Sequence, residues 1–115
     1  MKHFDRTEFA CPCCGVEMLA DYFAAKIDNA RDVAGIPFEI NSGYRCGPHN
    51  ESVGGKPDSA HRYGLACDIE CTHSRQRFKI IDALIKAGIQ RIGIGKTFIH
   101  ADDDTTKDPE VAWLY

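Results

Sequence analysis

Three side chains able to hold a metal ion fall in two short stretches. These are Ser59-Ala60-His61-Arg62-Tyr63-Gly64-Leu65-Ala66-Cys67-Asp68 and Phe98-Ile99-His100-Ala101-Asp102. A catalytic zinc ion takes three nitrogen or oxygen ligands from the protein and keeps a fourth position open. His61, Asp68 and His100 are the right residue types for that set. Plainer readings stand beside this one. A histidine in a loop usually just meets water, and an aspartate on the solvated face of a strand is normally a surface charge. Asp102-Asp103-Asp104 also reads as an ordinary acidic turn. The spacing permits the metal reading without requiring it.

Such a set works only if the elements around it bring the residues together. Leu65, Cys67, Ile69 and Cys71 are apolar at period two, so this strand turns Ala66, Asp68 and Glu70 away from the core. In a strand over 97–102, His100 lies opposite in phase to Ile99 and Ala101. If the two strands are neighbours in one sheet, Asp68 and His100 meet, and a turn at Gly64 folds His61 back over them. Residues 17–34 read as an amphipathic helix with Leu19, Phe23, Ile27, Ala30 and Ala34 on one stripe, ended by Gly35 and Pro37. Ile36, Phe38 and Ile40 alternate as a short strand. A Gly-, Pro- and Asn-rich stretch from Asn41 to Ser59 reads as a long loop of the kind that carries function. A second helix follows Ser74 as N-cap, with Phe78, Ile81, Leu84 and Ile85 as its buried stripe and Gly88 as its stop. Short strands at 91–94 and 97–102, and a last extended segment with Trp113 and Tyr115, complete the chain. The expected fold is α+β: a small antiparallel sheet with two main helices packed on it, in a single domain over residues 1–115.

The chain has 115 residues, 43% of them hydrophobic and 27% charged, a globular balance with room for one modest core. With 14 Lys+Arg against 17 Asp+Glu the net charge is −3, which gives no electrostatic case for a nucleic-acid partner. No apolar run approaches the ~20 residues of a membrane span. The polar start, Met1-Lys2-His3-Phe4-Asp5-Arg6, lacks a signal-peptide core, so the expectation is a chain that stays in the cytoplasm as synthesised. In that compartment the six cysteines read as thiols or metal ligands before disulfides. Cys67 and Cys71 sit on a core face as small hydrophobes. Cys11, Cys13, Cys14 and Cys46 are four sulfurs able to close a structural zinc site, although the chain does not repeat a Cys-x-x-Cys pair. A thiol or disulfide clamp between the N-terminus and the Cys46 loop is the alternative. No cysteine has a histidine partner at a spacing that would mark a nucleophile.

The pattern Ser59-x-His61-x-x-Gly64-x-Ala66-x-Asp68, followed by Phe98-Ile99-His100-x-Asp102, resembles the zinc D-Ala-D-Ala carboxypeptidase family. So does the upstream stretch Ser42-Gly43-Tyr44-Arg45-Cys46 with Asn50 and Gly54-Gly55, and the likeness runs from about Phe9 to the C-terminus. The family cuts peptidoglycan peptides and includes phage endolysins and tail-associated enzymes. The resemblance implies one catalytic zinc held by His61, Asp68 and His100, and Arg45 near the substrate's carboxylate or the developing oxyanion. It also implies Ser59 beside the metal, in hydrogen-bond reach of a ligand. Many members carry an Asp or Glu three residues before the last histidine as general base, and here Thr97 stands there. Short phage-type members commonly have an arginine where this chain has Asp104. On strand-face grounds Asp102, ahead of Asp104 and Glu70, is the expected base, with a hydrogen bond that orients a ligand as its other reading. The functional expectation is therefore a zinc peptidase acting on peptidoglycan stem peptides as a carboxypeptidase or endopeptidase. It would work as a monomer and reach the wall after lysis or as a virion component. A metal-containing module that only binds cell wall or a phage tail is the alternative that Thr97 keeps open.

Overall fold

The computed structural model describes residues 1–115. Five strands form one sheet: β1 (Ile40–Ser42), β2 (Ala66–Glu70), β3 (Arg91–Ile94), β4 (Phe98–Asp102) and β5 (Val111–Leu114), in the order β1-β2-β4-β3-β5. Two main helices, α1 (Asp21–Ala34) and α3 (Ser74–Lys86), cover one face, and a short α2 (Gly47–Ser52) lies in the stretch after β1. The α+β architecture with two main helices on a small sheet is as the sequence indicates. No helix is long and apolar enough to cross a membrane.

The sheet itself is mixed rather than wholly antiparallel. β1–β2, β2–β4 and β3–β4 pair antiparallel, and β5 joins β3 in parallel. The reason is topological. One edge of β4 is taken by β2 and the other by β3, so the chain leaving β4 must find the free edge of β3. It reverses through residues 103–110, and a strand antiparallel to β4 beside β3 runs parallel to β3.

One sheet face carries Cys67, Ile69, Ile92, Ile99 and Ala101 into a core shared with Phe9, Phe23, Ile27, Ile80 and Leu84. α1 begins at Asp21, four residues later than its periodicity suggests. Residues 17–20 are held by other partners: Glu17 accepts from Arg6 and from the Leu19 amide, and the Ala20 amide donates to Gly64. Its C-terminus is Gly35 at φ 67°, a left-handed conformation that glycine adopts without steric cost.

α3 departs from its expected stripe. It buries Ile80, Ala83 and Leu84, while Phe78 and Ile85 stay exposed. α1 lies alongside it, and Ile80, Ala83 and Leu84 join the same core cluster as Phe9, Phe23 and Phe38. Its N-cap is His73, not Ser74, with Nδ1 accepting the Gln76 amide at 3.3 Å. Within the expected loop over 41–59, α2 buries Asn50, whose side-chain amide donates to the Lys56 carbonyl at 2.8 Å and ties the loop back on itself.

Candidate metal centre

The other sheet face is where the chemistry-bearing residues gather. Strand register places Ser42 beside Asp68, Asp68 beside His100, His100 beside Gly93 and Gly93 beside Trp113. Residues paired across neighbouring strands share a face, so this row crosses the sheet on the side away from the core. A parallel row runs Ala66, Asp102, Arg91, Val111. The period-two argument for Asp68 and His100 therefore holds in the folded chain.

His61 comes to the row from a 3-10 turn, Ala60–Tyr63, that leads into β2. Ser59 caps that turn, its hydroxyl accepting the His61 amide at 3.3 Å. Gly64 closes it at φ 70°, where a Cβ would overlap the Met18 carbonyl oxygen. The buried His61 ring hydrogen-bonds the Gly43 carbonyl through Nδ1 at 2.7 Å. A carbonyl only accepts, so Nδ1 carries the proton and Nε2 presents a lone pair. That lone pair points toward Asp68, with Nε2 3.4 Å from Oδ1.

His100 is held in the complementary way. Its Nε2 meets Asp102 Oδ2 at 2.7 Å, and its Nδ1 stands 2.9 Å from Asp68 Oδ1. The donor atoms of His61, Asp68 and His100 all lie within 4.8 Å of one another. Ligands at about 2.1 Å around a tetrahedral ion stand about 3.4 Å apart, which these separations approach. Two imidazole nitrogens and one carboxylate oxygen, each histidine anchored through its other nitrogen, fit a zinc ion with an open position. Burial alone would raise the Asp68 carboxyl, but hydrogen bonds and charge from His100 and His61 hold it well below the usual carboxylate range. Burial likewise works against charge on His100, and the carboxylates of Asp102 and Asp68 outweigh it and raise its pKa.

Arg45 stands at the edge of this group. Its Nη2 lies 3.4 Å from Asp68 Oδ2, its Nε donates to Ser42 Oγ at 3.0 Å, and Nη1 reaches Asn50 Oδ1 at 3.5 Å. Asp102 is buried with both oxygens engaged: Oδ2 by His100, Oδ1 by the Asp104 amide at 3.1 Å. Arg91 Nε also stands 2.9 Å from Asp102 Oδ1, a pairing of charges whose N–H is not aimed along the contact. The aspartate run is not a solvated turn. Asp103 pairs with Lys26 at 2.6 Å, and Asp104 binds Thr106 and Lys107, so all three are buried. Glu70 lies on the same sheet face as Asp68, farther along β2.

An open cavity of about 530 Å³ covers the group, lined among others by Arg45, Ser59, Asp68, Trp113 and Tyr115. The aromatic wall depends on Gly93, where a Cβ would press on the rings of Tyr115 and Trp113. Trp113 lies with its ring centroid 5.6 Å from His100 and under the Arg91 guanidinium at 5.0 Å. Arg91, Gly93 and the Gly43 carbonyl are site features that the sequence reading missed. The signal for Arg91 was its place opposite Asp102 in the 91–94/97–102 hairpin.

The sulfurs of Cys11, Cys13, Cys14 and Cys46, the last of them next to Arg45 in sequence, also converge within 4.8 Å. Burial raises the Cys11 thiol, but backbone amides of Cys46 and Cys13 outweigh it and lower its pKa. The Cys13 thiol is pushed up, chiefly by its contact with Cys46. Cys67 and Cys71 are free and fully buried in the core.

No curated protein matches the chain at a significant level. The family model described as Peptidase M15 matches residues 2–102, a span that includes every candidate ligand and stops before β5. With the match covering most of its length, the chain belongs to the peptidase M15 family of zinc metallopeptidases.

Proposed function

We propose that the chain hydrolyses peptide bonds in peptidoglycan stem peptides, with His61, Asp68 and His100 as the ligands of one zinc ion. The observation that carries the reading is the convergence of these three side chains, each histidine anchored through its other ring nitrogen, under an open cavity with Arg45 at its edge. Bound zinc supplies Lewis acidity, polarising a carbonyl oxygen and acidifying water.

The remaining roles belong to the chain. Gly43 and Asp102 hold the two imidazoles so that His61 Nε2 and His100 Nδ1 both face Asp68 Oδ1. Arg45, braced by Ser42 and Asp68, offers a planar fork of donors to a terminal carboxylate or a developing oxyanion. Ser59 fixes the turn that carries His61 and lines the cavity. Asp102 was expected as the base, but its oxygens are already occupied, which favours the orienting role. In this reading the partner is a cell-wall peptide, the chain acts as a monomer, and it meets the wall after lysis or as part of a virion.

The test is digestion of purified peptidoglycan by the zinc-loaded chain, with products weighed by mass spectrometry. Loss of a terminal residue marks a carboxypeptidase, and release of internal fragments marks an endopeptidase. Intact substrate that stays bound to the chain replaces this reading with the non-catalytic binding module.

A further inference from the structure

We propose that Cys11, Cys13, Cys14 and Cys46 hold a second zinc ion in a structural tetrathiolate site, which fastens the N-terminal segment to the loop that carries Arg45. This goes beyond the peptidase reading and stands or falls separately from it.

The sulfur geometry comes first. Cys11 Sγ lies 3.6 Å from both Cys13 Sγ and Cys46 Sγ, and Cys13 Sγ lies 3.1 Å from Cys46 Sγ. All four sulfurs fall within 4.8 Å of one another. Four thiolates at about 2.3 Å around a tetrahedral zinc stand about 3.8 Å apart, so the cluster is close to the edge length of that site. A disulfide joins only two sulfurs, and it cannot account for a third and fourth packed against the same pair. Neither imidazole nor carboxylate enters the cluster, and its donor set is purely thiolate, the set that suits structural zinc.

The backbone is shaped for the same task. Cys11 and Cys14 form one Cys-x-x-Cys pair, followed by Gly15 at φ 74°. The loop is closed by the Gly15 amide on the Cys11 carbonyl at 2.8 Å and by the Cys11 amide on the Val16 carbonyl at 2.8 Å. The fourth sulfur comes from a distant segment, so the ion would join parts of the chain that are otherwise linked by few bonds.

Those bonds show what the ion would secure. The Tyr44 amide donates to the Phe9 carbonyl at 2.8 Å, and Gly43 sits so close that a Cβ there would be 2.6 Å from Phe9 backbone atoms. Gly43 supplies the carbonyl that orients His61, and Arg45 is the residue before Cys46. The N-terminal segment thus backs the loop that supports both a metal ligand and the arginine.

The experiment measures metal content by mass spectrometry and absorption of the cobalt-substituted chain. The wild type should carry one metal ion for each of the two clusters. The H61A/H100A variant should keep one ion and the intense near-ultraviolet absorption of thiolate bound to cobalt, and C13S/C46S should lose that absorption. Wild type and H61A/H100A without thiolate–cobalt absorption would overturn the proposal, as would a disulfide among the four cysteines in the non-reduced chain. Should C13S/C46S fail to fold, the first two proteins still decide. Thiolate–cobalt absorption in a wild type that leaves peptidoglycan intact would sink the peptidase reading alone.

Discussion

The Asp102 carboxylate separates two jobs that are easily confused, feeding a proton and steering a ligand. Its Oδ2 takes the His100 Nε2–H, which leaves Nδ1 for a metal. Changing Asp102 to Asn should weaken zinc binding by about 10–100-fold in a chelator competition. At saturating zinc the hydrolysis rate should then stay within a few-fold of the parent. Full zinc with a rate loss of about 10²-fold would return Asp102 to the role of base. Arg45→Lys should behave in the opposite way, keeping zinc content while kcat falls by about 10²-fold, because a point charge cannot reproduce the forked donor. The candidate ligands and Arg45 stood out in the sequence because each is a distinctive side chain in a distinctive run, and the fold brings them together. The anchor of His61 did not, since any residue at position 43 would present a carbonyl there. What selects glycine at 43 is Phe9, a contact remote in sequence.

The strands that mount these residues were readable because alternation is strict in β2 and β4: Cys67, Ile69, Ile99 and Ala101 go one way, Asp68, His100 and Asp102 the other. α3 was harder. Phe78, Ile81 and Ile85 make as good a periodic stripe as Ile80, Ala83 and Leu84, and packing on α1 and the sheet decides between them. β5 was harder again, since its direction follows from which sheet edge remains free. The turn that delivers His61 is the element most open to test. Alanine at Gly64 combines a left-handed φ of 70° with overlap on the Met18 carbonyl. It should destabilise the chain by at least about 2 kcal/mol, read as a lower urea midpoint. Alanine at Gly15, where φ is 74° but the space is open, should cost less.

If the proposed zinc occupies this cluster, metal and proton compete for it, and the whole chain should register it. Stripping zinc with a chelator should lower the thermal midpoint, because the ion binds the folded state. In the stripped chain His100 has a pKa raised above its ordinary 6.5 by Asp102 and Asp68. The stability this contributes is fully present below pH 6.5 and fades as pH rises through the raised value. Zinc must displace that proton, so uptake should release it, and affinity should climb with pH over the same range; calorimetry in buffers of different ionisation enthalpy checks both.

The chain's single tryptophan lies in β5, beyond the family match, with its ring against His100 and under Arg91. Indole dominates the long-wavelength emission of a protein, so the fluorescence of the entire molecule originates beside the candidate centre. A protonated imidazole quenches a neighbouring indole, and a metallated one does so differently. The protein thus carries its own optical gauge of occupancy, and metal entry, proton release and substrate arrival can each be timed by light without attaching a label.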